Sequence, residues 1–239
     1  MKTRFLSLGL WTIMSAILLC PFPVVAQRVV DKDVADFDRI EFVGRGEVTL
    51  RQGTNPHVQL EASDDDDLRR FRTETRGNTL RIIYDDDDEN WLDLAPKIRA
   101  TITYPELREL RLTGLVKLTS PDKISNDRFS LEIEGMGNVQ LNLEVESLDI
   151  ASAGTANIDL SGRANDVEIV NDGTGTIDAF DLLSQDADVE VNGTGLIRIN
   201  SQQSLRAEAN GFGATVRYLG NPKDTYFDTS GFASIKADK

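Results

Sequence analysis

Residues 170–195 read VNDGTGTIDAFDLLSQDADVEVNGTG, and the tripeptide Gly-Thr-Gly occurs twice in this stretch, beginning at Gly173 and at Gly193. A phosphate-binding Gly-x-Gly needs a strand before it and a helix after it, because backbone amides at the helix N-terminus converge on the anion. Here Ile177 and Ile197 instead begin runs that are typical of strands. The motif therefore favours a glycine corner between strands over a nucleotide site.

The same corner recurs through the second half of the chain, where the steps from Gly135 to Gly193 are 19, 19 and 20 residues. The predicted corner glycines are Gly114, Gly135, Gly154, Gly173, Gly193, Gly211 and Gly231. Gly44 lies in a similar motif but out of period. A fixed period with strands in each unit is typical of a solenoid. We therefore predict an all-β fold whose C-terminal half is a β-helix-like solenoid with coils of about 20 residues.

The residues before the repeats also alternate between apolar and polar side chains, as at Val48 and Leu50. Arg76-Gly77-Asn78 predicts a turn that joins residues 71–75 and 79–82 as a hairpin. Only residues 64–72 have the pattern of a helical turn. We predict one domain over residues 27–239. Antiparallel strands and a hairpin (34–112) would pack on, or continue, the stack formed by the repeat coils (113–237).

The first 26 residues predict export. Lys2 and Arg4 precede an uncharged apolar run, which is followed by prolines and by small residues that end at Ala26. This is the pattern of a secretory signal peptide over residues 1–26. A retained membrane anchor needs a longer apolar run, and a lipid anchor on Cys20 is a further alternative. We expect a periplasmic, outer-membrane-associated or extracellular protein.

The exported chain would be acidic and free of thiols. Loss of Cys20 leaves no cysteine for a disulfide or a thiolate site, and loss of Lys2 and Arg4 changes the formal net charge from −14 to −16. A chain this acidic repels phosphate backbones and anionic lipid. We therefore expect no nucleic acid, no cofactor and no membrane contact, which leaves an envelope protein or a glycan as the partner.

Several short motifs resemble a known family. They are DFDRIEF (36–42), GEVTLRQG (46–53), GNTLRI (77–82) and LRLTG (110–114), followed by the Gly-x-Gly coils. In this order they resemble the head GIN domain family, whose members are described as auto-transporter adhesins, over roughly residues 34–237. The resemblance implies an exported β-helix-like domain without established catalytic residues. The middle residue of the corners departs from the family's serine, as at Met136, Thr155 and Phe212.

Catalytic and metal-binding motifs are weak. His57 is the only histidine, and the chain has no Gly-x-Ser-x-Gly for a Ser-His-Asp site, so we expect a solvated turn residue. The exported chain does not supply enough of the nitrogen and sulfur ligands that a zinc site needs. The acidic runs 64–67 and 85–89 offer oxygen ligands for Ca²⁺ without the spacing that brings alternate residues onto one ion. We expect both runs to be solvated loops.

Two surface features are candidate binding sites. The second strand of successive coils carries acids that are expected to face outward in one column: Glu132, Asp149, Glu168, Glu190, Glu208 and Asp228. This column would receive a cationic ligand or partner, with Arg198 and Arg206 as neutralising neighbours, or would serve solubility alone. Phe212 and Phe232 occupy corners, where they would either stack on a sugar or partner or cap the last coils.

These observations favour an exported, non-catalytic binding or scaffold domain of the cell envelope, with an adhesin-like role. The alternative is a carbohydrate-active β-helix enzyme that uses paired carboxylates as acid and base. Two carboxylates in a concave pocket would support that alternative. The open last coil, around residues 226–235, also predicts self-association through the ends of the stack.

Overall fold

The structure is a computed structural model that describes residues 28–62, 65–84 and 98–238. The predicted signal peptide, the acidic run 85–89 and part of the run 64–67 lie outside the described residues. No helix in the described ranges is long and apolar enough to span a membrane.

The described chain is all-β except for one short helix, as predicted. The elements are β1 (Arg28–Asp33), β2 (Arg39–Gln52), β3 (His57–Ala62), α1 (Asp65–Arg70), β4 (Phe71–Arg76), β5 (Thr79–Tyr84), β6 (Ile98–Tyr104), β7 (Glu109–Thr119), β8 (Ile124–Asn171), β9 (Thr174–Asn192), β10 (Thr194–Leu219) and β11 (Asp224–Ala237). They form one mixed sheet in the order β1-β3-β6-β2-β7-β8-β9-β10-β11, and β5 joins β4 to β2.

The N-terminal region combines antiparallel and parallel pairing. The hairpin β4–β5 is confirmed, and β3 pairs antiparallel with β1 and β6. The expectation that the remaining strands are antiparallel is wrong for β2, which pairs parallel with β5, β6 and β7. The reason is that β2 continues the parallel stack of the repeats: Gly44 lies opposite Gly114 although 70 residues separate them. Residues 53–108, between β2 and β7, form an insertion that contains β3 to β6 and α1.

The repeats pair in parallel and in register. Gly114 lies opposite Gly135, and Gly211 lies opposite Gly231. A Cβ added to Gly154 would lie 2.2 Å from the carbonyl oxygen of Gly135, so successive corners contact each other through backbone atoms. The period of the sequence is thus the period of strand pairing.

Most of these glycines adopt a positive φ, and Gly154 has a φ of 120°. Gly173 is an exception, because the positive φ of its corner belongs to Gly175. Gly173 is instead required by close packing: a Cβ there would lie 2.0 Å from the carbonyl oxygen of Gly154. Glycine is therefore needed at this position for space rather than for its backbone conformation.

The core runs along the whole stack. The alternating residues Val139, Leu141 and Leu143 of β8 are all buried, as the pattern predicts, and the intervening side chains are exposed. One continuous apolar cluster extends from Phe37 in the N-terminal region to Val216 in β10. Side chains on the outward positions of these strands are therefore displayed on a rigid support.

Candidate functional site

The predicted acidic column divides into two rows. Glu190, Glu208 and Asp228 lie opposite one another in β9, β10 and β11, as expected. Glu168, however, lies opposite Asp188 rather than Glu190, so the prediction of a single column is wrong. Asp188 and Glu190 are two residues apart and face the same way, and strand alternation alone does not decide between them.

The row that contains Glu168 and Asp188 lies in an open groove of about 390 Å³. Its lining includes five carboxylates: Asp149, Asp166, Glu168, Asp186 and Asp188. Two arginines also line it, with Arg128 Nε 4.0 Å from Asp149 Oδ2 and Arg206 Nε 3.7 Å from Asp188 Oδ2. The groove is therefore acidic along its length and partly neutralised by one arginine from β8 and one from β10.

Asp188 is a partly buried carboxyl group of this groove that lies close to other charges. Partial burial raises the pKa of Asp188, and the nearby Glu208 and Glu190 raise it further, whereas Arg206 opposes the shift. The side chain nevertheless remains 57% exposed. Arg206 also pairs with Glu208 and lies over the ring of Tyr226, at 4.7 Å from its centroid. Arg206 thus links the two acidic rows and confirms the predicted basic neighbour.

Beside the second row, a ladder of polar side chains precedes the corner glycines. It consists of Asp172, Asn192, Asn210 and Ser230. The Asn192 amide donates to Asp172 Oδ1 at 2.9 Å and to Glu190 Oε1 at 2.7 Å, Asn210 donates to Asn192 Oδ1 at 3.2 Å, and Ser230 donates to Asn210 Oδ1 at 2.9 Å. The sequence analysis missed this ladder. In the sequence, the ladder is visible as a polar residue directly before each of four corner glycines.

Phe212 and Phe232 form an exposed aromatic pair. Their side chains are 74% and 77% exposed, and the ring centroids lie 5.1 Å apart in an edge-to-face arrangement. Thr194 in the preceding corner donates from Oγ1 to the carbonyl oxygen of Phe212 at 2.8 Å. Rings this exposed shield little of the core from water, so the geometry favours contact with another molecule over capping.

The remaining candidates, His57 and the first acidic run, form hydrogen bonds with side chains of neighbouring elements. His57 is half-buried and begins β3, so the expected solvated turn is wrong. Its Nδ1 lies 2.9 Å from Asp33 Oδ1 and its Nε2 3.3 Å from Asp31 Oδ1, and hydrogen bonding to Asp33, then to Asp31, raises the pKa of His57. Carboxylates thus engage both ring nitrogens, which suits strand pairing better than catalysis.

The first acidic run is also more structured than expected. Asp66 and Asp67 lie in α1 rather than in a loop, and the Tyr84 hydroxyl donates to Asp67 Oδ1 at 3.1 Å. Within the three described ranges, no three histidine, aspartate or glutamate side chains converge as metal ligands would. Arg198 pairs with Asp178 at 2.7 Å, away from the acidic groove.

A family model described as "putative auto-transporter adhesin, head GIN domain" matches residues 36–222. No curated protein matches the chain.

Solved structures resemble the fold over almost the whole chain. A putative adhesin from Bacteroides fragilis has a TM-score of 0.79 and 24% identity, with 90% of this chain and 99% of that chain covered. A putative lipid binding protein from Parabacteroides distasonis has a TM-score of 0.68 and 22% identity, over 89% and 97%. A putative adhesin from Parabacteroides merdae has a TM-score of 0.64 and 16% identity, over 89% and 96%. At these identities the likeness establishes a shared fold.

Proposed function

The chain belongs to the head GIN domain family, and from this membership we propose that it is an exported, non-catalytic, adhesin-like module of the bacterial cell envelope. Export accounts for the leader pattern of residues 1–26 and for a mature sequence without cysteine. The acidic surface keeps such a module away from anionic lipid. An adhesin-like role requires a stiff support and an exposed contact surface.

The support that we propose is a β-solenoid. Parallel pairing from β7 to β11 and the backbone contact between corner glycines agree with coils stacked along one axis. Each coil would cover the apolar side of the previous one, about 4.8 Å away. Side chains on the corners would then form straight rows along the stack.

The observation that carries the proposal is the aromatic pair Phe212 and Phe232. Large apolar side chains this exposed are unfavourable in water unless another molecule covers them. The rings of Phe212 and Phe232 are neighbours and together form a small apolar patch. The faces of aromatic rings pack well on the C–H face of a sugar ring. We therefore assign the contact surface to this corner and favour a glycan as its ligand.

The proposal is tested by binding the purified protein to envelope polysaccharide from a bacterial host. We expect the double variant Phe212→Ser, Phe232→Ser to weaken binding by about tenfold or more, since each ring contributes about 0.5–1.5 kcal/mol beyond its buried area. Met136→Ser is the matched control, because Met136 is a corner residue that is 47% exposed in an earlier coil. Unchanged binding of the double variant would contradict the assignment, and loss of binding after protease treatment of the envelope would indicate a protein ligand.

The acidic groove is a second proposed contact, for a cationic segment of a partner. Its five carboxylates outnumber its two arginines, and an exposed site of this kind binds more weakly as salt rises. We expect binding through the groove to fall between low and physiological ionic strength. Binding at the aromatic corner is expected to be nearly independent of salt, which separates the two surfaces.

A carbohydrate-active enzyme remains the alternative function. The observation that favours it is the direct pairing of Glu168 with Asp188, whose pKa is raised, because acid–base catalysis uses two such carboxyl groups. The exposure of Asp188 and the openness of the groove favour binding instead. Cleavage of envelope polysaccharide that is abolished by Asp188→Asn and by Glu168→Gln would establish the enzyme.

A further inference from the structure

β11 ends the stack with one side unpaired. It pairs with β10 from Asp224 to Ala237, and the sheet order finishes at β11. Backbone groups of successive residues in a strand point to alternate sides. About half of the N–H and C=O groups of this 14-residue strand therefore face away from β10 without a strand partner in the described chain.

The core is also open at this end. Ala207 and Val216 of β10 are fully buried, yet the β11 residues in register with them, Phe227 and Ile235, are 41% exposed and partly buried, respectively. The Phe227 ring contacts Tyr218, at 5.4 Å between centroids. The last layer of the core is thus covered by the stack on one side and exposed to solvent on the other.

The charged residues of β11 identify what fits this edge. Asp224 lies at the start of the strand and Lys236 near its end, and within the described residues neither has an ion-pair partner. If the strand pairs antiparallel with a copy of itself about Ser230, Asp224 of one chain lies opposite Lys236 of the other. The two-fold axis produces this pair twice.

We propose that β11 is the interface of a homodimer, in which it pairs antiparallel with β11 of a second copy about a two-fold axis at Ser230. In this register Phe227 lies opposite Ala233 of the second copy, so the inward-facing side chains of both chains meet. The two open ends then form one continuous core, and both sets of free backbone groups become paired.

Neighbouring registers are less favourable. Centring the strand pair on Gly231 would place Asp224 opposite Asp238, and centring it on Asp228 would place that carboxylate opposite its own copy. The opposite edge of the sheet offers a poorer partner, since β1 has six residues, all exposed, and does not cover an open core. Self-pairing of β11 is therefore favoured over head-to-tail assembly.

The first test is a charge exchange in the full chain, produced with its own leader in a bacterial host. Sedimentation equilibrium is expected to give a dimer. Asp224→Lys and Lys236→Asp each place like charges opposite one another twice, and each should raise the dimer dissociation constant about tenfold or more. The double variant restores opposite charges and should return the constant to within about threefold of the starting value. Val30→Lys on β1 is the control and should leave it unchanged.

The second test is a cysteine at the proposed axis. Cys20 in the leader is the only cysteine of the chain, so Ser230→Cys introduces one thiol next to its own copy. Cα atoms of directly opposed strand residues lie within the reach of a disulfide. Mild oxidation should therefore give a covalent dimer from Ser230→Cys. Ser234→Cys lies opposite Tyr226 and should remain uncrosslinked.

Several results would overturn the proposal. These are a monomer at every concentration up to about 1 mM, a dimer that is insensitive to Asp224→Lys, and failure of the double variant to recover. Larger assemblies that are lost in Val30→Lys would indicate head-to-tail growth instead. Dimers that crosslink through Ser234→Cys rather than Ser230→Cys would exclude this register. Circular dichroism of each variant establishes that it is folded.

Discussion

The parallel strands from β2 to β11 differ at their two ends in how the apolar residues are covered. At the N-terminal end, the insertion between Gly44 and Gly114 supplies the hairpin β4–β5, and Phe71 packs between Phe42 and Tyr84 with all three rings buried. At the other end, no further strand of the described chain pairs with β11, and Phe227 and Phe232 are exposed.

This difference indicates that covering an end requires sequence outside the repeat. A repeat unit buries its apolar side on the next unit, so the terminal unit needs a different covering. The insertion provides such a covering at the N-terminal end only. At the other end, no further strand of the described chain covers apolar residues of β11 such as Phe227 and Ile235, which is why we propose a second copy as its partner.

The largest effect is expected from comparing one aromatic residue at each end. Phe42→Ala should lower the free energy of unfolding by about 3–5 kcal/mol, because it removes a fully buried ring. Phe227→Ala should cost about 1 kcal/mol or less under dilute conditions, because much of that ring is already exposed. Urea unfolding of the monomer measures both. Equal losses would mean that the two ends are equally covered.

A second comparison uses the corner glycines. Gly154→Ala places a Cβ 2.2 Å from the carbonyl oxygen of Gly135 at a φ of 120°, and we expect a loss of about 3 kcal/mol. Gly231→Ala makes a similar contact with Gly211, at 2.4 Å, but β11 has no strand on its other side in the described chain and can move away. We expect a loss of about 1 kcal/mol there.

Gly77→Ala is the control for backbone conformation without crowding, since its φ is 58° and nothing lies within 4 Å of the added Cβ. It should cost about 1 kcal/mol. If Gly154→Ala costs no more than Gly77→Ala, close contact between corners does not hold the stack together. Denaturant midpoints at constant slope give all three values.

The sequence predicted the strands of the C-terminal half well, because a single physical rule operates there. Buried residues such as Val139 and Leu141 alternate with exposed ones, and glycine is needed wherever one corner contacts the next. The N-terminal pairing was harder. Gly44 stacks on Gly114 across an insertion, and no local pattern reveals which of two distant strands lies beside a third.

The candidate site was only partly predictable for a related reason. Outward positions carry no packing constraint, so the choice between Asp188 and Glu190 as the neighbour of Glu168 depended on the length of the intervening turn. The exposure of Phe212 and Phe232 followed from their corner positions, whereas their mutual contact required coordinates. The ladder at Asn192 was visible as a repeated residue type and was missed.

A third comparison concerns the ion pair that joins the hairpin β4–β5, which we call the cap, to β2. Arg81 of β5 donates from Nε to Glu41 Oε2 at 2.7 Å and from NH2 to Oε1 at 3.2 Å, and this hydrogen bonding lowers the pKa of Glu41 below its ordinary value of 4.5. Both side chains are partly exposed, so Glu41→Gln should cost about 1 kcal/mol at neutral pH. Arg217→Gln, at the pair with Asp238 near the other end, should cost less.

The pH dependence of this pair has a definite sign. Because the folded state lowers the pKa of Glu41, its contribution is present above about 4.5 and is lost as the pH falls through the lower folded value. The difference between the original protein and Glu41→Gln should therefore vanish in acid. A difference that persists at low pH would mean that shape, rather than charge, joins β5 to β2.

The smallest expected effect concerns β1, the edge strand that pairs with β3. His57 is directly opposite Asp33 in the pairing of β3 with β1, and its raised pKa means that the protonated ring favours the paired state. The contribution of this pair to the pairing of β1 is fully present below about pH 6.5 and is lost as the pH rises through the folded pKa.

Amides of β1, corrected for intrinsic exchange, should therefore lose about two- to threefold in protection between pH 6 and pH 9, since exposed ion pairs are weak. His57→Asn should remove this dependence, and β4–β5 amides should not share it. Equal dependence in both strands would place the titrating group in the cap instead of at the edge.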